Sequence, residues 1–432
     1  MVKRLLVFAL LISACAPAQY TLPTPVAPIY YVSTAGSDAN LGGQSTPFKT
    51  IQRAVNIVPS GSTIIVSAGT YNERPVILAS KNNLTLRADG IVIVNGFHIS
   101  KNVGTVIDGF EITAKNSTYI QGFGIWVQGN NCVIQNNYIH DTAWGGILTL
   151  YYTSGCTIRN NRIGGNVSQN GIDVRGTGHI VENNEIWDIR QMSKYLPNPP
   201  SYADADGIHF HGSNLVLKGN YIHDIPYGGD NVNTHTDCFQ TFDGLTEQPK
   251  AVNVLIDSNR CENIGAITNE ILTKGMQVQN AQGLTVTNNI FCAAVGMRLD
   301  GASGLVIENN ELCGDLALPA NIVSDCIQFA NSSGELNGNY CRNFSGWALR
   351  ADGANTIKGA GNMAINTRIR TGTEYLFETV LTPTPTKVPT QTVQVPQTST
   401  VQVSQTPTRT TTPTATPECH WFVSIGRNIC VP

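Results

Sequence analysis

Short stretches of alternating apolar and polar residues, each ending in an asparagine-rich turn, recur along much of the chain. Nine segments share this pattern: "CVIQNNYI", "CTIRNNRI", "HIVENNEI", "LVLKGNYI", "VLIDSNRC", "LTVTNNIF", "LVIENNEL", "GELNGNYC" and "TIKGAGNMA". The second turn residue is always an asparagine: Asn137, Asn161, Asn184, Asn220, Asn259, Asn289, Asn310, Asn339 and Asn362. Short strands with turn residues at a fixed place predict a parallel β-solenoid with loops of variable length. Asparagine tolerates the left-handed backbone of such turns, and its side chains can hydrogen-bond from coil to coil.

A third strand follows each turn unit, which makes three strands per coil. Its copies include "FGIWVQG", "NGIDVRG", "DGIHFHG", "DCFQTFD", "KGMQVQN", "VGMRLDG", "DCIQFAN" and "WALRADG", with "GGILTLY" as the degenerate member. Three strands per turn is the geometry of a right-handed parallel β-helix, so we predict an all-β fold of this class. Alternation along the strand points Ile125, Ile172, Ile208, Phe239, Met276, Met297, Ile327 and Leu349 into the core. It turns Trp126, Asp173, His209, Gln240, Gln277, Arg298, Gln328 and Arg350 outward in one column.

The two ends of the solenoid have different sequence patterns. "TPFKTIQRAVNIVPSG" places Ile51, Ala54, Val55 and Val58 on one helical face, which predicts a helix capping the N-terminal end. After Leu381 the chain becomes rich in Thr, Pro, Val and Gln, a composition that cannot bury a core and predicts a disordered tail. We therefore divide the chain into a signal at 1–15, a linker at 16–28, a β-helix domain at 29–375, a linker at 381–418 and a Cys-bounded tail at 419–432.

The stretch from Tyr30 to Glu73, "YYVSTAGSDANLGGQSTPFKTIQRAVNIVPSGSTIIVSAGTYNE", resembles the opening of many secreted right-handed β-helix proteins, including pectate-lyase-like polysaccharide lyases. The coil pattern extends this resemblance to about residue 370. The resemblance implies a carbohydrate-active protein with an extracellular polysaccharide as its partner. It specifies the fold better than the chemistry, because β-helices carry several functions.

The N-terminal segment "MVKRLLVFALLISACAPA" has a basic start, a short apolar run and small residues, which predicts an export signal. The run Ile12-Ser13-Ala14-Cys15 resembles a bacterial lipoprotein box, so Cys15 is either lipidated or incidental. We expect an extracellular or cell-surface monomer that touches a membrane only through this anchor. Charged residues make up 13% of the chain and the net charge is −3, which argues against a nucleic-acid partner.

Chemistry-bearing residues concentrate in adjacent coils, around "YADADGIHFHG". Asp206, Asp237 and Lys274 begin the third strand of consecutive coils. In the preferred interpretation, Asp204, Asp206 and Asp237 bind Ca²⁺ through oxygen ligands, and the ion holds a uronate carboxylate. Lys274, or else Arg298, then removes a proton for β-elimination, as the lyase resemblance implies. The residues expected to contact the polysaccharide are His209, His211, Gln240, Phe242, Gln277, Asp300 and Arg350.

Three other interpretations remain open at this point. The same strands fall where polygalacturonases carry their motifs, so Asp206 and Asp237 could instead serve a glycoside hydrolase, although Thr236, Lys274 and Asp300 depart from that pattern. His209 and His211, with His235 from the next coil, could bind a transition metal. Finally, the same columns would suit a non-catalytic glycan-binding protein of the cell surface.

Overall fold

The computed structural model describes residues 27–191, 195, 204–226, 236–243, 245–265, 273–314, 323–374, 376–379, 418–422 and 427–431. The chain divides into two units, Met1–Thr382 and Pro383–Pro432. The export signal, Cys15, His235 and most of the Thr/Pro-rich segment lie outside the described residues, so the expectations placed on them stay predictions. Among the described residues, none of the helices has the length and apolar character required to cross a bilayer.

An eleven-stranded parallel sheet takes one strand from each successive coil, and its outer surface is called the site face below. With strands numbered β1–β39 in chain order, this sheet comprises β3 Val76–Ile77, β5 Phe97–Ile99, β8 Phe123–Val127, β11 Gly145–Thr149, β15 Asn170–Thr177, β19 Asp206–Ser213, β22 Asp237–Thr241, β25 Lys274–Gln279, β28 Val295–Asp300, β31 Ile327–Ala330 and β34 Leu349–Asp352.

The other strands of the first unit form a continuous 26-stranded parallel arrangement around the rest of each coil. It comprises β1 Ile29–Val32, β2 Thr63–Tyr71, β4 Thr85–Val94, β6 Val106–Asp108, β7 Glu111–Ala114, β9 Val133–Gln135, β10 Tyr138–Thr142, β12 Thr157–Arg159, β13 Arg162–Ile163, β14 Val167–Ser168, β16 Ile180–Glu182, β17 Glu185–Trp187, β18 Ile189–Arg190, β20 Val216–Lys218, β21 Tyr221–Ile225, β23 Leu255–Asp257, β24 Arg260–Ile264, β26 Thr285–Thr287, β27 Ile290–Cys292, β29 Leu305–Glu308, β30 Glu311–Cys313, β32 Ser333–Asn337, β33 Tyr340–Arg342, β35 Thr356–Ala360, β36 Asn362–Ile365 and β37 Phe377–Thr379. Three strands per coil, all parallel, confirm the predicted β-helix.

In each asparagine turn, the two neighbouring turn residues have different structural roles. The first turn residue takes the left-handed backbone, as at Asn136 with φ 57° and Ser258 with φ 57°. The second turn residue is buried and stacks on its equivalent in the next coil. From Asn137 to Asn362, each side-chain amide donates to the next asparagine's Oδ1 at 2.9–3.0 Å. This ladder satisfies polar groups inside the core without breaking the stack of coils.

The core runs through the centre of the coils and is capped at one end. The inward residues predicted from alternation, from Ile125 to Leu349, are fully buried. Helix α1, Ile51–Ile57, buries Ile51, Ala54 and Val55 over the first coil, as predicted. At the N-terminus of helix α1, the two carboxylate oxygens of Glu73 accept the backbone N–H groups of Ile51 and Gln52.

Three disulfides lie in the C-terminal half of the solenoid: Cys238–Cys261, Cys292–Cys313 and Cys326–Cys341. Cys132 and Cys156, in earlier coils, are buried free thiols. In the second unit, β38 Glu418–Phe422 and β39 Arg427–Val431 form an antiparallel pair in which Cys419 lies opposite Cys430. This strand pair coincides with the Cys-bounded tail at 419–432, which the sequence separates from the Thr/Pro-rich linker.

Candidate functional site

The outward column predicted from the sequence exists on the site face. Backbone pairing aligns Asp173, His209, Gln240, Gln277, Arg298, Gln328 and Arg350 across seven consecutive strands. Because neighbouring strands lie about 4.8 Å apart, these side chains form one continuous row. The sequence therefore located the face correctly.

The side chains of this row differ in their exposure to solvent. Asp173, His209, Gln240 and Gln277 are each at most 5% exposed. Arg298 and Arg350, further along the same row, are exposed. The site face thus has a buried polar part followed by an exposed cationic part, a distinction that strand alternation alone does not reveal.

Aspartates at the start of the strands link one coil to the next. Asp206 Oδ1 accepts the backbone N–H of Asp237 at 2.7 Å, and Asp237 Oδ1 accepts that of Lys274 at 3.0 Å. Asp325 repeats the arrangement with Trp347 N at 2.8 Å. All three aspartates are buried. Part of their role is therefore structural, since each carboxylate completes the hydrogen bonding of the following strand.

Asp206 also forms a close pair with His209. Its Oδ2 lies 2.5 Å from His209 Nε2, and Gln240 Oε1 lies 2.8 Å from the same nitrogen. Two acceptors at one nitrogen place a proton on Nε2, so the opposite nitrogen, Nδ1, carries no proton when the ring is neutral. Burial opposes protonation of His209, whereas the hydrogen bond and charge of Asp206 raise its pKa; burial also raises the pKa of Asp206, so the two groups hold a proton between Asp206 Oδ2 and His209 Nε2.

Lys274 and Asp237 form a second buried pair, one coil further on. The Lys274 Nζ lies 3.5 Å from Asp237 Oδ1, and the two side chains are only 6% and 0% exposed. Isolated buried charges are costly, so this contact stabilises both groups in their buried positions. The predicted base and one predicted aspartate are therefore in direct contact.

His211 occupies the next outward position of its strand, two residues after His209. It is fully buried, and within the described part of the chain neither ring nitrogen forms a hydrogen bond of regular geometry, although the Phe242 backbone lies close to the ring; His209 Nδ1 has no partner either. The Phe242 ring packs edge-on against both imidazoles, with centroid distances of 5.8 Å to His209 and 4.9 Å to His211. Burial lowers the pKa of His211 to about 3, although the nearby Asp173 carboxylate acts in the opposite direction. The ring is therefore neutral.

Asp173 and Arg175 border these histidines and were not singled out from the sequence as site residues. Arg175 Nε donates to Asp173 Oδ1 at 2.9 Å, and its Nη2 lies 2.5 Å from Oδ2. Pairing places Asp173 beside His209 and Arg175 beside His211. The signal was present, because "DVR" and "HFH" occupy the same two outward columns in consecutive coils.

The predicted calcium ligands are only partly brought together. Among the described residues, the three-residue groups with ligand atoms within 4.8 Å are Asp204, Asp206 and His209, and Asp173, His209 and His211. Asp237 belongs to neither group, and it already contacts the Lys274 ammonium. Calcium takes six to eight oxygen ligands, of which Asp204 and Asp206 could supply some, so the calcium site stays a prediction.

Of the remaining predicted contact residues, Gln277 is buried, Asp300 is half-buried and Arg350 is exposed. Gln277 pairs in register with Arg298, and Asp300 follows two residues later on the same strand. Arg350 forms ion pairs with Asp352 at 2.7 Å and Asp325 at 3.8 Å. Among the described residues no ion pair is formed by Arg298, so its guanidinium is available to an anionic ligand.

Comparison with known families identifies the class of this chain. The family model described as right handed beta helix region matches residues 77–240 and 151–314, which together span more than half of the sequence. The chain therefore belongs to the right-handed β-helix family. A second model, protein of unknown function (DUF1565), matches residues 34–76. No curated protein matches the sequence.

Solved structures are similar to this chain at low sequence identity. The complex of XylC with xylose has a TM-score of 0.53 and 12% identity, covering 81% of this chain and 86% of that chain. The catalytic unit of a thermostable GH87 alpha-1,3-glucanase from Streptomyces thermodiastaticus has a TM-score of 0.46 and 15% identity, covering 77% and 68%. The A-module of mannuronan C-5 epimerase AlgE6 from Azotobacter vinelandii has a TM-score of 0.45 and 14% identity, covering 76% and 96%.

Proposed function

We propose that this protein is a polysaccharide lyase that cleaves a polyuronate by β-elimination on the site face. The observation that carries the proposal is the exposed Arg298 guanidinium, which lies one coil beyond the buried Lys274–Asp237 pair. A uronate needs a cation on its carboxylate and a proton-transfer group beside it, and these two features supply both. The shared fold with a xylose-bound protein supports a sugar ligand.

Each residue of this group has a defined task in the proposed reaction. Arg298 binds the substrate carboxylate through paired N–H donors, which increases the acidity of the neighbouring C–H. Lys274 passes one proton to Asp237, 3.5 Å away, and then removes the α proton of the uronate. A carbon–carbon double bond forms as the bond to the β oxygen breaks, and Lys274 donates a proton to that leaving oxygen and recovers the proton held by Asp237. No step passes through a calcium ion.

The geometry supports a lyase better than a hydrolase. Hydrolysis would use Asp206 and Asp237 as its acid and base. Asp206, however, accepts N–H groups at both of its oxygens, one from a backbone and one from His209.

The test is a near-ultraviolet absorbance assay on a panel of polyuronates, since only elimination produces an unsaturated uronide. We expect Arg298→Ala and Lys274→Ala each to lose about 100-fold or more in turnover. Lys358→Ala, an exposed lysine on the other sheet, should keep the full rate. Arg298 is exposed, so its variant stays informative if Lys274→Ala fails to fold. Full turnover in both variants would refute the assignment, and binding without turnover would favour a glycan-binding protein.

A further inference from the structure

The buried part of the site face holds a side-chain group that the proposed elimination does not use. Asp173, His209 and His211 each offer one ligand atom, and these atoms all lie within 4.8 Å of one another. All three residues are at most 5% exposed. We propose that they form a binding site for a divalent transition-metal ion, for which Zn²⁺ is the best match. This inference does not depend on the lyase activity.

The strand geometry explains why the three side chains converge. His209 and His211 are two residues apart on β19, so both project from the same face of the sheet. Asp173 on β15 pairs in register with His209, which places its carboxylate beside the first imidazole. Two imidazoles and one carboxylate are ligands that zinc takes in catalytic sites, with a further position left open.

Unpaired nitrogens provide the independent evidence for a ligand. His209 Nδ1 and both nitrogens of His211 are buried without a hydrogen bond of regular geometry among the described residues. An unsatisfied buried polar group costs about 1–3 kcal/mol, so native proteins rarely retain three in one place. A bound cation would accept the lone pairs of one nitrogen from each ring.

The surrounding contacts are those expected around metal ligands. A ligating histidine usually donates its other ring N–H to a carboxylate, which fixes the ring and its tautomer. Asp206 Oδ2, 2.5 Å from His209 Nε2, is placed for this role and leaves Nδ1 for the ion. Arg175 orients Asp173 in the same way through its two contacts. A carboxylate has about four lone-pair sites, so Asp173 can hold Arg175 and a metal together.

Binding of an ion would require only a small decrease in the distances between the three ligand atoms. Zinc bonds to nitrogen and oxygen are about 2.0–2.2 Å long, so tetrahedral ligand atoms lie roughly 3.3 Å apart. Rotation of the His211 ring, which no hydrogen bond of regular geometry holds in the described structure, can supply part of this change. The Phe242 ring closes one side of the group and limits the access of water.

The experiment measures metal binding by the full chain, produced without a polyhistidine tag. Titration with Zn²⁺ and with Co²⁺ gives stoichiometry and affinity, and Co²⁺ adds visible absorption bands that report nitrogen ligands. We expect one ion per chain and a rise in the unfolding temperature on binding. His211→Gln and Asp173→Asn should each weaken binding by at least about 10–100-fold, the usual cost of losing a supporting contact at a metal site.

Two control variants make the result decisive. His98→Gln changes another histidine on the same sheet and should leave metal affinity unchanged. Asp204→Asn tests the competing group of Asp204, Asp206 and His209. The proposal is overturned if the wild type binds no stoichiometric ion, or if His211→Gln binds as tightly as the wild type. Loss of binding in Asp204→Asn alone would also overturn it and would assign the ion to the competing group.

Discussion

At the scale of single residues, the buried asparagines carry the coil-to-coil bonding. Asn259 shows the pattern: its Oδ1 accepts from the backbone and side chain of Asn220, and its Nδ2 donates to Asn289 and to Leu217 O. One side chain therefore satisfies polar groups of three coils. Nothing apolar of similar size could replace it without leaving several of those groups unpaired.

We predict that Asn259→Ala destabilises the solenoid by about 3 kcal/mol, because the lost amide leaves several buried groups unsatisfied at about 1–3 kcal/mol each. Urea unfolding followed by circular dichroism measures the change. Asn56→Ala is the matched control, since Asn56 is exposed on helix α1 and accepts only one side-chain bond, from Gln52. Equal stability loss in the two variants would mean that the ladder is not a special source of stability.

The sequence predicted which asparagines form the ladder, but not the burial and the contacts of the site residues. The position of Asn259 follows from the repeat alone, because every coil needs the same turn. The burial of His211 does not follow from the repeat, because the loops around an outward imidazole determine whether it is solvated or buried. The contact between Lys274 and Asp237 was similarly hidden, although the sequence showed that both begin strands of consecutive coils.

At the scale of secondary-structure elements, charged and aromatic side chains form rows along the outside of the 26-stranded arrangement. Arg162, Glu185 and His223 lie in consecutive coils, with 2.8 Å between Arg162 Nε and Glu185 Oε2 and 3.5 Å between His223 Nε2 and Glu185 Oε1. The neighbouring His223 and Arg162 lower the pKa of Glu185 to about 2. Strands β13, β17 and β21 are thus joined by charge as well as by backbone pairing.

This row predicts acid sensitivity. A carboxylate with a lowered pKa stabilises the fold fully above its unfolded pKa of about 4.3 and loses that contribution as the pH falls towards 2. Between these values the wild type should lose more stability than Glu185→Gln, as measured by urea midpoints across the pH range. Glu335→Gln, at an exposed position, should follow the wild type. Parallel pH curves for wild type and Glu185→Gln would show that the row contributes nothing, and high salt should reduce the difference.

At the scale of the whole molecule, the disulfides divide the solenoid into two halves. All three described bridges lie between residues 238 and 341, with sequence separations of 23, 21 and 15. The coils before residue 226 rely on packing and ladder bonds. The sequence showed an even set of cysteines after Cys15 but could not assign their partners, because pairing depends on which side chains face each other in the folded coils.

Reduction should therefore weaken the C-terminal half selectively. Closing a loop of this size contributes about 3 kcal/mol per bridge in the chain-entropy account. Hydrogen exchange with and without reductant should show lost protection in the coils from Cys238 to Cys341 and little change in the coils from Phe123 to Ile225. A Cys238→Ala/Cys261→Ala variant should reproduce part of the effect without reductant. A uniform loss of protection along both halves would contradict this prediction, and would indicate a single cooperative solenoid.

The most direct test of the proposed function examines how the glycosidic bond is broken. Digestion of a polyuronate in water enriched in heavy oxygen, followed by mass spectrometry, separates the two chemistries. Elimination predicts unsaturated products that are lighter by one water than hydrolysis products and carry no heavy oxygen at the cleaved bond. Saturated products that carry the label would show that the enzyme is a hydrolase and that Lys274 and Arg298 have other roles.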